Sequence, residues 1–255
     1  MTRLIQMELL KLRSTRLGYG LLATAAGLTT LFAVLNATRG AAIDTADGLN
    51  KEFLTGVWAM LLAAVLGATV ASGEFRHATA TLTYLATPDR NRVLAAKAVA
   101  AGCAGAVFGL AGSFIATGTG LAFVAGHGYH LALGAATIAR YVAGYAVGGA
   151  LLAAAGCGLG SLIRSQLAAV IGVFVWTIVI ESLLGGLFTS LRPYLPYTAA
   201  TTMAGARLGF SSFGPAHGVA GGTPLPFAAA AGLVAAVAAV LSLAAARTTV
   251  QKDIS

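Results

Sequence analysis

Leu54-Thr55-Gly56-Val57-Trp58-Ala59-Met60-Leu61-Leu62-Ala63-Ala64-Val65-Leu66-Gly67-Ala68-Thr69-Val70-Ala71-Ser72 holds no charged residue, and Gly73-Glu74-Phe75-Arg76-His77 follows at once. About 20 mostly apolar residues carry an α-helix across a bilayer. The stretch therefore reads as a membrane span with a charged exit. The exit continues through Thr87-Pro88-Asp89-Arg90-Asn91-Arg92 to Lys97, the densest internal cluster of charge in the chain. A chain that otherwise avoids charge has a use for such a cluster outside the lipid.

The same apolar pattern recurs on both sides. Spans are expected at 17–37, 54–72, 98–125, 141–161, 167–189 and 227–246, and the third is long enough to tilt or to project from the membrane. Composition agrees: the 255 residues are 58% hydrophobic and 9% charged. A soluble domain carries about 25% charged residues and could not cover its surface with so few. The 33 glycines fit closely packed membrane helices, whose contacts favour small residues. The fold class expected is an all-α polytopic membrane protein in a single transmembrane domain, residues 1–255. No solenoid repeat is evident, and the last three spans do not duplicate the first three, which disfavours a transporter built from inverted repeats.

Charge placement sets the expected topology. Eleven of the 16 basic residues flank one side, among them Arg3, Lys11, Arg13, Arg16, Arg76, Arg90, Arg92 and Lys97. The other five are Arg39, Lys51, Arg140, Arg192 and Arg207. Both termini and the charged segment are thus expected to be cytoplasmic. A cleaved signal peptide is the rival reading of the N-terminus, disfavoured by the length of the first span. The formal charge of +8 reads as topology signal and headgroup attraction, with no nucleic-acid partner, because the basic residues sit at span ends instead of gathering on one soluble face.

Residues 1–16 form a candidate interfacial helix. Met1, Ile5, Leu9 and Leu12 recur at helical spacing, while Met7 and Leu10 break the polar side; Glu8, Lys11 and Arg13 are its charged members. The alternative is a basic flank that only fixes orientation. The loop from Thr38 to Phe53 reads as an ordinary solvated connection. The outer segment 190–226 is punctuated by five prolines, with Tyr197 to Phe210 helix-compatible, and reads as a re-entrant or interfacial hairpin.

No engine is evident within the chain. No phosphate loop of the G-x-x-x-x-G-K-[ST] type occurs, and Gly156-Cys157-Gly158-Leu159-Gly160 lacks dinucleotide spacing and reads as a packing face. The pairs Gly105 and Gly109, Gly144 and Gly148, and Gly156 and Gly160 have the four-residue spacing of helix contacts. His127 and His130 stand without further ligands, so no metal site is expected, and Cys103 and Cys157 read as small packing residues. No catalytic residues, bound cofactor or enzymatic activity are assigned.

Two features remain. Glu181 is the one acid in the interior of an expected span; it reads either as a lining of the translocation path or protonatable site, or as a hydrogen-bonding partner of a neighbouring helix. The segment 74–88 reads either as a topology signal or as a rigid elbow. In the elbow, Thr87-Pro88 halts one short helix and Asp89 caps the next.

The run Glu8-Leu9-Leu10-Lys11-Leu12-Arg13-Ser14-Thr15-Arg16, then Glu74-Phe75-Arg76-His77-Ala78-Thr79 with Pro88, Arg90 and Lys97, resembles the permease subunits of ABC-2-type ABC transporters, as does the six-span layout. The resemblance implies that 74–88 is a coupling helix, with Glu74, Phe75, Arg76, His77, Thr79, Pro88 and Arg90 as its docking residues. It implies that Glu8, Lys11 and Arg13 lie on a connecting helix, and that 190–226 is the extracellular helical hairpin. Its implied partners are two copies of an ATP-binding subunit that hold ATP and Mg, a second permease chain in a homodimer, and membrane lipid. Its implied location is a bacterial cytoplasmic membrane. A proton-coupled carrier using Glu181 and a non-transporting anchor or sensor are the alternatives.

Overall fold

A computed structural model describes residues 1–39, 44–76, 90–130, 133–163, 165–205 and 224–250. Among these the regular structure is all helical, without a strand. Helix α1 is Thr2–Ser14 and α2 is Arg16–Arg39. Helix α3, Ala46–Phe53, passes through a 3-10 turn at Leu54–Gly56 into α4, Val57–Arg76. Helix α5 is Arg90–Gly126 and α6 is Ala135–Leu162. Helix α7, Gln166–Phe174, runs through a π-helical turn at Val175–Ile180 into α8, Glu181–Leu187. A 3-10 turn at Arg192–Tyr194 precedes α9, Pro196–Met203, and α10 is Phe227–Ala245.

Six of these helical stretches are long and apolar enough to span a bilayer, as the composition leads one to expect. Their places differ. In the most apolar 18 residues of the Ala46–Gly73 stretch 83% are buried within the protein, against 17% in those of Arg16–Thr38 and of Phe227–Thr248. The α4 rod is thus the axis, packed on α5 and α6, and α2 and α10 lie at the periphery. Apolar side chains exposed on the outer helices, such as Leu167, Leu183 and Val240, are what a lipid solvent accepts.

Small residues set the helix spacing. A Cβ placed on Gly67 would sit 1.9 Å from the Ala153 carbonyl oxygen, and one on Gly109 would sit 1.9 Å from that of Tyr145. Gly149 meets the Gly105 carbonyl, and Gly156 and Gly160 meet those of Ala64 and Ala68, in the same way. The four-spaced glycines therefore serve contacts inside this chain: α6 is clamped between α4 and α5 with backbone against backbone.

One expectation needs correction. The connection before α4 is not simply a solvated loop. Thr45 caps α3 by accepting from the Gly48 N–H at 3.1 Å, and Leu49, Glu52 and Phe53 are wholly buried. The spacing of Leu49, Phe53 and Val57 is that of one helical face, which draws the segment onto the bundle while Asp47 and Lys51 stay exposed and pair at 2.8 Å. In the outer segment, the helix expected from Tyr197 is observed as Pro196–Met203; residues 206–223 lie outside the described residues.

Helix α5 has 37 residues, about 55 Å at 1.5 Å per residue, against a hydrocarbon core of about 30 Å. The first turns of α2, at Gly18, Tyr19 and Leu22, stand beside Cys103, Ala104, Val107 and Phe108 of α5 around one groove. The turns of α5 from Arg90 to about Ala101 therefore extend past the start of α2. At that level Leu94 packs with Ala245, Ala246 and Leu162, the ends of α10 and α6.

Candidate functional site

The π-helical turn organises the chemistry around Glu181. In an α-helix, residues five apart point to different sides; the wider π turn brings them onto one face. Trp176 Nε1 accordingly donates to Glu181 Oε1 at 3.1 Å within one element. The same oxygen accepts from the Tyr197 backbone N–H at 2.8 Å. Its twin, Oε2, accepts from the Thr198 N–H at 3.0 Å and the Thr198 hydroxyl at 3.1 Å. Four donors thus fill the acceptor positions of the carboxylate, and Glu181 is only 5% exposed.

This arrangement is an N-cap supplied from another helix. Helix α9 starts with Pro196, which suits the first helical position, and the local cap residue Leu195 offers no side-chain acceptor. The orphan N–H groups of Tyr197 and Thr198 are the second and third of the helix, which an N-cap side chain ordinarily satisfies. Glu181 does so instead, with its acceptor oxygens at the positive end of the helix dipole. The acid thereby ties α9 to the α7–α8 span.

A second set of bonds ties α9 and α6 to the start of α4. At the 3-10 turn the Val57 N–H bonds to Leu54, and Phe53 is the residue that caps the turn. Tyr145 of α6 adds a side-chain donor there, bonding to Phe53 O at 2.8 Å. Tyr197 donates to Val57 O at 2.7 Å, and Tyr141 donates to Asn50 Oδ1. Three phenols therefore run up one side of α3 and α4. Burial, reinforced by the nearby Glu181, pushes the Tyr197 phenol well above its usual pKa, so it remains a neutral donor.

The other charged sites lie at the α1 end. Helix α1 forms between Met1 and Thr15 and packs against α5, with Met7 and Leu10 left exposed. Glu8 is buried to 6% exposure and accepts from Lys11 Nζ at 2.8 Å. The pair lines a cavity of about 320 Å³ with Thr15, Thr69, Gly73 and Gln166. Arg13 lies on the opposite flank of α1, against α2 and α5.

Glu74, Phe75 and Arg76 form the last turn of α4, which continues through Gly73 without a break, and Arg90 opens α5. The two ends of the candidate coupling segment are thus helix ends. His77, Thr79 and Pro88 fall outside the described residues. Lys97 is buried on α5, while Arg92 is exposed.

One pair escaped the sequence reading. Glu52, wholly buried, accepts from Asn36 Nδ2 at 3.0 Å, and its Oε1 has no hydrogen-bond partner among the described residues. Asn36 reads from sequence as merely interfacial. The available signal was the spacing of Leu49, Glu52 and Phe53, which places the acid on the buried face of a short helix. No group of three or more metal-ligating side chains occurs among the described residues. No protein-family model and no curated protein matches this chain.

Proposed function

We propose that this chain is the permease subunit of an ATP-driven exporter of the ABC-2 type, which forms the translocation path and takes its energy from separate ATP-binding subunits. The observation that supports this most is the reach of α5 past the start of α2. Its first turns stand beyond the start of α2, at the end where α1 packs and the basic flank gathers. Force applied at Arg90 would act on a rigid helix of about 55 Å. Force applied at Glu74 to Arg76 would act on α4, the most buried span. The segment between them joins two long levers, which is what a coupling element requires.

In this mechanism nucleotide closes two ATP-binding subunits, the 74–88 segment passes their motion to α4 and α5, and two permease chains part toward the outer side. The glycine contacts between α4, α5 and α6 make those helices move as one body, because backbone-to-backbone packing leaves no side chains to yield. The substrate class best suited to a path lined by Ala, Gly, Leu and Thr is hydrophobic or amphiphilic. Glu181 enters as a structural cap of α9. Its four hydrogen bonds weigh against the carrier reading, since a proton relay needs a lone pair free to receive the proton.

The test is co-purification of the full chain with the ATP-binding protein encoded beside it, in mild detergent. A stoichiometric complex is expected, and replacement of Glu74, Phe75 and Arg76 by alanine should abolish it. A chain that never retains an ATPase, or a complex indifferent to the substitution, overturns the coupling assignment.

A further inference from the structure

Helix α1 has a cavity on each flank, and Leu12, Gly18 and Leu66 border both. The two differ in charge. On one flank Glu8 neutralises Lys11. The other is a groove of about 290 Å³ in which, among the described residues that line it, Arg13 is the only charged one and no acid takes part. Away from Arg13 its walls are apolar, chiefly Leu22, Val107 and Phe108.

The groove also has a direction. It begins at the joint of α1 and α2, where Arg13 and Tyr19 stand, and runs along the first two turns of a membrane span. Leu22 lies six residues into α2, about 9 Å along its axis. One end is therefore at headgroup level and the other is in hydrocarbon. Arginine offers a planar fork of donors that suits phosphate oxygens, and the apolar end suits an alkyl chain. A soluble anion would use only the first half of the groove, and an uncharged hydrocarbon only the second.

We propose that the groove between α1, α2 and α5 binds one anionic phospholipid, its phosphate on Arg13 and one acyl chain along Leu22, Val107 and Phe108. The lipid wedges the α1–α2 joint against α5 and so fixes the angle of α1. This assignment concerns lipid recognition and stands whether or not the chain transports anything.

The chain supplies its own reporter. Cys103 is exposed and lines the groove, whereas Cys157, the only other cysteine, is fully buried. The full chain, labelled at Cys103 with a small fluorophore, is placed in nanodiscs of zwitterionic lipid. Brominated phosphatidylglycerol or brominated phosphatidylcholine is then titrated in as quencher. Half-maximal quenching is expected at an about fivefold lower fraction of the anionic lipid, the effect of one basic residue near an anionic headgroup. Arg13→Gln should remove that preference, Arg13→Lys should keep part of it, and Arg3→Gln should leave it unchanged. Equal quenching by the two lipids in the wild type overturns the proposal without recourse to any variant. So does a loss in Arg3→Gln as large as in Arg13→Gln, which would indicate a diffuse basic surface. Displacement of the preference by inorganic phosphate would assign the groove to a soluble anion and overturn the lipid as well.

Discussion

The two ends of this bundle handle polar groups in opposite ways. Around α9 buried polar groups bond from helix to helix: Glu181 caps α9, Tyr197 reaches Val57, and Tyr145 reaches Phe53. Around α1 the charges sit beside cavities, and the long end of α5 passes the start of α2. In a low-dielectric interior an unpaired polar group is expensive, so polar side chains that remain there are those with several partners. The end rich in mutual bonds holds shape. The end with charges at its edge sets Arg13 on an open groove.

The sharpest way to break this contrast is at Glu181. Glu181→Leu leaves the Tyr197 and Thr198 N–H groups and the Trp176 indole without acceptors. At the modest worth of hydrogen bonds in membrane proteins, the loss should be roughly 2 to 4 kcal/mol, seen as a large fall in thermal midpoint in detergent. Glu181→Gln keeps one acceptor oxygen and should lose about half as much. Unchanged melting in both variants would remove the structural role and return the acid to the translocation path.

Helix α5 allows a second test within one element. A Cβ at Gly109 collides with the Tyr145 carbonyl, whereas one at Gly118 meets nothing within 4 Å. Gly109→Ala should destabilise by about 1–3 kcal/mol through overpacking. Gly118→Ala should be neutral or gain up to about 1 kcal/mol from helix propensity. If the two variants melt alike, the close approach of α5 and α6 is not what holds the core together.

Six spans and an all-α fold are legible from composition and run length alone, because lipid imposes a single-valued rule on what may cross it. Glu181 stands out for the same reason, as an acid where acids are costly. Its partners do not stand out. They lie 16 and 17 residues downstream, and Trp176 reaches it only because a π turn changes the register, which no apolar periodicity announces. The Asn36–Glu52 bond was hidden differently: α3 has only eight residues, too short for its face to outweigh the neighbouring Asp44, Asp47 and Lys51. Glycine spacing marked helix contacts, and the structure adds which helix each pair meets.

The finest comparison is between two tyrosines of the ordered end. Tyr145 is wholly buried and donates to the Phe53 carbonyl at the head of the 3-10 turn, whereas Tyr194 is 57% exposed. Tyr145→Phe keeps the ring and its packing and removes only the phenol. The Phe53 carbonyl then loses its side-chain donor, at a cost of about 1 kcal/mol. Tyr194→Phe should change melting by less than the scatter of the measurement. A measurable loss at Tyr145 alone would show that hydrogen bonds, and not ring packing, hold the 3-10 turn at the head of α4. Equal and negligible effects would mean that α4 keeps its entry turn through Leu49 and Phe53 burial, and the order of this end would then be a matter of packing alone.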